Sequence, residues 1–210
     1  LAAIGLLIAL VWLLGHLRTL YLRRQAAQLL LQINEHTRDL RAANQRLDEL
    51  ANTDSLTGIY NRRRFLELAR AERDQTLGRP VCIALFDLDR FKAINDSHGH
   101  LAGDAVIRGA IEVIKQHCRQ GDLLGRYGGE EFVLCLPDTS EPQAREIAER
   151  ICTAMADNVV AYNDQPIRVT VSIGVAALRP GESIEQWLSR ADKALYAAKR
   201  DGRNRCAVAG

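Results

Sequence analysis

The chain has 210 residues, enough for one ordinary domain and an additional segment. Its 28 basic side chains against 26 acidic ones leave a formal charge of +2, so no global field argues for nucleic acid as a partner and any charge logic is local. The five cysteines, Cys82, Cys118, Cys135, Cys152 and Cys206, have no CxxC spacing and sit mostly in apolar runs. That pattern argues against a zinc site and fits a reducing compartment.

Leu1 to Leu17 carries no formally charged residue, and Arg18, Arg23 and Arg24 follow it. At 1.5 Å per residue the stretch covers only about 25 Å of a hydrocarbon core of roughly 30 Å. The chain also begins with Leu rather than Met, so residues 1–17 are expected to be the C-terminal part of a longer transmembrane helix. A signal peptide would place its basic residues before the apolar run, whereas a helix buried in a soluble core remains the competing use of the same residues. The arginines then put everything after them in the cytoplasm, giving an expected location at the inner (cytoplasmic) membrane.

Residues 18–51 are expected to form a signalling helix. Leu22, Ala26, Leu29, Ile33, His36, Leu40, Ala43, Leu47 and Leu50 alternate spacings of four and three, and only His36 breaks the apolar seam. A sustained 3.5-residue period favours a parallel coiled coil that pairs two copies of the chain, against the alternative of a single amphipathic helix lying on its own domain.

Asn52-Thr53-Asp54 ends the heptads, and a globular domain is expected over 52–210. Asp54 to Gly58 reads as a turn before a helix over 61–74. Val81 to Phe86 reads as a strand buried on both faces, with Asp87 at its C-terminal end. A helix follows over 102–118. Residues 123–127 and 130–136 read as a hairpin around Gly128-Gly129. A helix over 142–155, a strand over 167–176, a helix over 184–199 and a short strand over 206–208 complete the order. The expected fold class is α/β of the α+β kind, a palm-like or ferredoxin-like mixed sheet with helices packed on it.

Chemistry concentrates at two places that such a sheet would bring together. Phe86-Asp87-Leu88-Asp89 sets a carboxylate at the end of a buried strand, and Glu130-Glu131 sets two more after a tight turn. Converging carboxylates repel unless a cation sits between them, and hard oxygen ligands suit Mg²⁺ bound jointly with substrate phosphates. Gly128 and Gly129 would let backbone approach a ligand or adopt positive φ, although an ordinary hairpin turn uses the same glycines. In the polar stretch Asn95 to Asp104, Asp104 could accept from guanine's N1–H and amino group, or simply shape a helix start with Asn95. His98 and His100 lack further ligands for a metal and fit turn or substrate contacts. Lys92, Lys199 and Arg203 are candidate triphosphate partners. Arg119 and Asp122 bracket a turn, on physics alone as a surface ion pair.

Over about residues 52 to 206 the sequence resembles the GGDEF family of diguanylate cyclases. Four ordered stretches carry the resemblance: Asp54-Ser55-Leu56-Thr57-Gly58-Ile59-Tyr60-Asn61-Arg62-Arg63, Phe86 to Asp104, Gly128 to Phe132, and Ala191 to Tyr196 with Lys199 and Gly202-Arg203-Asn204. The resemblance implies condensation of two GTP into cyclic di-GMP and pyrophosphate, with two catalytic domains face to face. It assigns Asp87, the Leu88 carbonyl, Glu130 and Glu131 to Mg²⁺, with Mn²⁺ as an alternative, and makes Glu130 and Glu131 the catalytic carboxylates, Glu130 assisting deprotonation of the attacking hydroxyl. Asn95, His100, Asp104, Lys92, Gly128, Gly129, Lys199 and Arg203 fall at the substrate. Arg119 and Asp122, with Arg150 in third place, match the family's product-inhibition site for cyclic di-GMP. The signature has Glu at its third position, which keeps the carboxylate. A degenerate nucleotide receptor, a cyclase with another base choice and a structural coiled-coil protein are the competing readings.

Overall fold

The continuous apolar run before Asp87 becomes the middle strand of a sheet covered on both sides. In a computed structural model of the protein, residues 12–19, 25, 36–38, 51–163 and 165–210 are described. The chain divides into two units, Leu1–Ala51 and Asn52–Gly210. In the first, residues 12–19 are helical, with the Trp12 ring stacked on His16 at 5.5 Å. Among the described residues no helix is long and apolar enough to cross a membrane. Residues 1–11 of the expected transmembrane stretch, and every position of the heptad seam except the helical, exposed His36, lie outside the described residues.

The second unit runs α1 (Arg62–Gln75), β1 (Cys82–Leu88), α2 (Phe91–His98), α3 (His100–Gln116), β2 (Leu123–Arg126), β3 (Glu131–Leu136), α4 (Glu141–Asp157), β4 (Val160–Tyr162), β5 (Gln165–Ile167), β6 (Val171–Ala177), α5 (Ile184–Arg200) and β7 (Cys206–Val208). The five-stranded sheet has the order β2-β3-β1-β6-β7, and β4 pairs with β5 alone. All neighbours in the large sheet are antiparallel except β6 and β7. The mixed α+β architecture expected from the element order is therefore present.

Two elements were not expected. Residues 91–98 form α2, an eight-residue helix in what reads as a polar connection, because only Phe91 and the half-buried Ile94 three residues on mark its inner face. The hairpin β4–β5 is equally short, three residues on each side.

Alternation along β1 divides the core. Cys82, Ala84, Phe86 and Leu88 face the cluster built with α3 and α4, while Ile83 and Leu85 face the one built with α1 and α5. Burial pushes the Cys82, Cys118 and Cys152 thiols up to about 12, so they behave as core side chains rather than nucleophiles or ligands. The α5 helix is fixed tightly to β6. Trp187, fully buried, donates through Nε1 to the Ala176 carbonyl at 2.9 Å. A Cβ on Gly174 would lie 2.1 Å from the Ala191 carbonyl oxygen and 2.2 Å from the Leu195 nitrogen, so helix and strand touch backbone to backbone.

Gly174→Ala therefore forces two rigid backbones apart, and overpacking of this kind costs about 1–3 kcal/mol or more. The expected outcome is a clearly lowered midpoint of urea unfolding with unchanged slope; a midpoint within error of the parent would show that α5 shifts freely on the sheet.

Candidate active site

Register decides which acids meet. Asp87 at the end of β1 pairs with Glu131 at the start of β3, so both side chains leave the same face, the one covered by α5. The Leu88 amide donates to the Glu130 carbonyl at 3.2 Å, which ties the signature turn to the end of β1. From α5, Lys199 reaches back and places Nζ 2.6 Å from Asp87 Oδ2, with only 13% of the aspartate side chain exposed. Glu131 is held above the usual glutamate range by burial first, then by the like charge of Asp87, with Glu130 and Asp192 adding to it and Lys199 opposing. The sheet thus gathers more negative charge than its one lysine balances.

This arrangement fits a divalent metal held partly by its substrate. Asp87, Glu130, Glu131 and the Leu88 carbonyl offer hard oxygen donors, the type Mg²⁺ and Mn²⁺ take. Among the described residues no three His, Cys, Asp or Glu side chains converge closely enough to form a complete metal cage. Mg²⁺ characteristically keeps waters and substrate phosphates and takes one or two protein carboxylates, so a full set of side-chain ligands is not required of such a site.

Of the two signature glycines, Gly128 acts by space rather than by φ. Neither Gly128 nor Gly129 has a left-handed backbone. A Cβ on Gly128 would lie 2.4 Å from Glu131 Oε2, so its hydrogen leaves room for that carboxylate; Gly129 has nothing within 4 Å. The expected two-residue turn is instead a wider loop over 127–130, with Tyr127 and Gly128 both donating to the Glu131 carbonyl.

Asn95 lies on α2 against α3. Its Oδ1 is buried with no hydrogen-bond partner, and a Cβ on Gly103 would sit 2.0 Å from it. An orphaned buried acceptor beside a cradle that only glycine leaves open marks a place prepared for a donor. Asp104, half-buried, follows Gly103 directly. Lys92 and His100 are exposed on the first turns of α2 and α3, and Arg203 is exposed in the loop after α5 with φ 64.

Arg119 and Asp122 do meet, as a pair whose arginine side chain is 56% exposed while its aspartate is covered. Asp122 is 1% exposed and accepts from the Arg119 amide at 2.8 Å and from Arg119 Nε at 3.3 Å. The same guanidinium donates to Thr139 Oγ1 at 2.7 Å and to the Pro137 carbonyl. Arg150 pairs with Glu146 on its own helix at 3.8 Å.

Two organising residues escape a reading by motif. Arg126 holds Asp54 through Nη1 at 3.0 Å to each carboxylate oxygen, and donates through Nε and Nη2 to the Gly129 carbonyl at 3.1 and 2.7 Å. It therefore joins the domain's leading turn to the signature loop. Burial of Asp54 opposes ionisation, but hydrogen bonds from Thr57 and Arg126 outweigh it and hold the carboxyl below its usual range. Asp89, 6% exposed, accepts from Ser172 Oγ at 2.7 Å, Thr170 Oγ1 at 2.7 Å and the Asn204 amide at 3.0 Å. Unlike Asp87 two residues earlier, it is a structural carboxylate.

A model of the diguanylate cyclase GGDEF domain family matches residues 51–205. Diguanylate cyclase DgcP of Pseudomonas aeruginosa is 40% identical over 186 residues, covering 85% of this chain and 27% of that protein. The chain thus spans about a quarter of the length of this curated relative. The structure of the coiled coil and GGDEF domain of DgcB from Caulobacter crescentus, in complex with c-di-GMP, superposes with a TM-score of 0.81 at 32% identity, covering 86% of this chain and 97% of that one. The active GGEEF domain of a diguanylate cyclase from Vibrio cholerae gives 0.66 at 35% identity, covering 71% and 97%.

The charge excess at Glu131 has a measurable sign. A carboxyl raised above its unfolded value favours folding while protonated, and that contribution is lost as pH rises through the folded pKa. Glu131→Gln should therefore raise the melting temperature at pH 7 without divalent metal, and the advantage should vanish below the ordinary glutamate range. A variant no more stable than the parent at pH 7 would mean that Lys199 already balances the site.

Proposed function

The chain belongs to the GGDEF family of diguanylate cyclases, and from that premise we propose that it condenses two GTP molecules into cyclic di-GMP, releasing pyrophosphate. The observation that carries the reading is the cross-strand pair Asp87 and Glu131, with Lys199 at 2.6 Å and too little positive charge to neutralise it. That is a site waiting for a metal and a triphosphate, and neither a structural coiled-coil protein nor a plain interaction module needs it.

In this reading Asp87, the Leu88 carbonyl, Glu130 and Glu131 hold Mg²⁺ or Mn²⁺. The bound ion supplies charge stabilisation at the reacting phosphate and lowers the pKa of the attacking hydroxyl. Lys92, Lys199 and Arg203 hold the phosphates, and the open backbone at Gly128 and Gly129 admits the substrate. The orphaned acceptor of Asn95 and the carboxylate of Asp104 take guanine's donors, and His100 lies at the substrate's edge. The 3′-hydroxyl of each GTP attacks the α-phosphorus of the other, so two phosphodiester bonds form, two pyrophosphates leave, and Glu130 of each domain accepts the proton of one hydroxyl.

Each domain holds one GTP, so chemistry needs two copies apposed. The heptad seam from Leu22 to Leu50 supplies that pairing in our reading, supported by the presence of a coiled coil with the GGDEF domain in the DgcB structure. Residues 1–17 would continue a transmembrane helix, with the catalytic domain on the cytoplasmic side of the inner membrane. Arg119 and Asp122, joined by Arg150, would bind cyclic di-GMP and restrain the enzyme. An arginine fork suits phosphate or guanine edges. Because Arg119 also braces Thr139, its loss would loosen the connection between β3 and α4 as well.

Purified chain incubated with GTP and Mg²⁺ should yield a product with the mass of cyclic di-GMP. A mixed adenine–guanine product from GTP plus ATP would correct the base choice, and absence of any product would favour a nucleotide receptor. Asp87→Asn, checked by circular dichroism for retained fold, should lower turnover roughly a hundred- to a thousandfold. Near-parental turnover in that variant would remove Asp87 from the site. Asp104→Ala should reduce discrimination of GTP over ATP by about tenfold or more, since unpaired buried donors cost about 1–3 kcal/mol. Unchanged discrimination would assign base reading elsewhere.

A further inference from the structure

A product held by Arg119 needs a two-pronged contact, and the prongs of this arginine are taken. A guanidinium has five N–H donors, and both of its bidentate edges run through Nη2, one shared with Nε and the other with Nη1. Arg119 Nη2 carries two hydrogens and has two acceptors, Thr139 Oγ1 at 2.7 Å and the Pro137 carbonyl. Nε donates to Asp122 Oδ1 at 3.3 Å. Among the described residues only Nη1 is left without an acceptor, and one nitrogen cannot form the fork that suits a phosphate or a guanine edge. The side chain is exposed enough for a ligand to reach it, yet it meets that ligand with neither edge open.

The loop that holds Nη2 cannot follow the arginine away. Thr139 is buried; its hydroxyl donates to the Pro137 carbonyl at 2.8 Å, its amide donates to the Pro80 carbonyl at 2.8 Å, and its carbonyl accepts from Cys82 Sγ at 3.2 Å. Asp138 is held by Arg79 Nη1 at 2.9 Å to each carboxylate oxygen. Residues 137–139 are thus fastened to the start of β1. When Arg119 turns toward a ligand its bonds to them are broken, because the loop stays behind.

We propose that Thr139 sets the affinity of the product site, its hydroxyl competing with cyclic di-GMP for the Arg119 guanidinium so that the ligand binds by displacing it. This rests on the reading of Arg119 and Asp122 as the product site and adds to it a positioning residue outside the pair. Removing the acceptor releases a hydrogen of Nη2 and raises affinity. Loss of a merely supporting side chain would lower affinity or leave it unchanged.

The test is calorimetric titration of cyclic di-GMP into the full chain and three variants, each checked by circular dichroism for retained fold. Thr139→Val keeps the shape and removes the acceptor, and should bind roughly tenfold more tightly, the release of one charge-assisted contact. Thr139→Ser keeps the hydroxyl and should match the parent. Arg119→Ala should bind about tenfold more weakly or worse. No binding by the parent, or equal binding by Arg119→Ala, would remove the product site from this pair and the competition with it. Weaker binding by Arg119→Ala alongside unchanged or weaker binding by Thr139→Val would retain the product site and overturn the competition. Equal tightening in Thr139→Val and Thr139→Ser would also overturn it, since the hydroxyl would not be the cause. A second measurement needs no substitution: a crystal structure of the parent chain with cyclic di-GMP bound should show Arg119 Nη2 on the ligand and away from Thr139 Oγ1. Nη2 still on Thr139 beside a seated ligand overturns the proposal.

Discussion

Asp87 and Glu131 stand opposite each other on neighbouring strands, on the same face, with a single lysine between them and solvent. Two carboxylates in cross-strand register destabilise a sheet, and here burial, with the like charge of Asp87 added to it, holds Glu131 above its ordinary range. The surrounding structure can be understood as the support this arrangement requires. The apolar run of β1, buried on both faces, carries Asp87 to the strand end. The Leu88 amide and the Arg126 guanidinium fix the signature loop from either side, and α5 brings Lys199 within 2.6 Å. In the proposed reading, stability is given up locally so that a metal and a triphosphate would supply the missing charge.

Much of this was legible in the residues. The strand ending in Asp87 shows as six apolar residues after Pro80, and the hairpin shows as two runs around a glycine pair, so the meeting of Asp87 with Glu131 follows once the strands are neighbours. Other parts had no local signature. The α2 helix is anchored only by Phe91 and the half-buried Ile94, too short an apolar pattern to place Asn95 against Gly103, so that cradle cannot be anticipated from spacing. The different fates of Asp87 and Asp89 depend on Thr170, Ser172 and Asn204, which are far away in sequence. Arg126 lies two residues before the glycines, but its partner Asp54 is 72 positions earlier. Long-range hydrogen bonds leave little trace in composition or period.

The glycines illustrate a related point. Gly128 reads as a turn residue, and its backbone proves ordinary; what matters is the volume a side chain would take from Glu131. Gly103 serves Asn95 in the same way. At both positions the absence of a Cβ creates space for a neighbouring polar group, a role that depends on tertiary contacts.

The backbone contact between Gly174 and α5 has a mechanical meaning. With Trp187 bonded to β6 and no side chain separating helix from strand, α5 and the sheet make one stiff body, and Lys199 rides on it at a set height above Asp87. Such a body has no soft backbone coordinate along which those two charges could be drawn apart, which leaves only the torsions of the lysine side chain. A stimulus acting on it can translate or rotate the whole assembly, much as a hand moves a die without altering its faces. Control of the chemistry would then reside in where the body is carried, while its charge pattern stays constant.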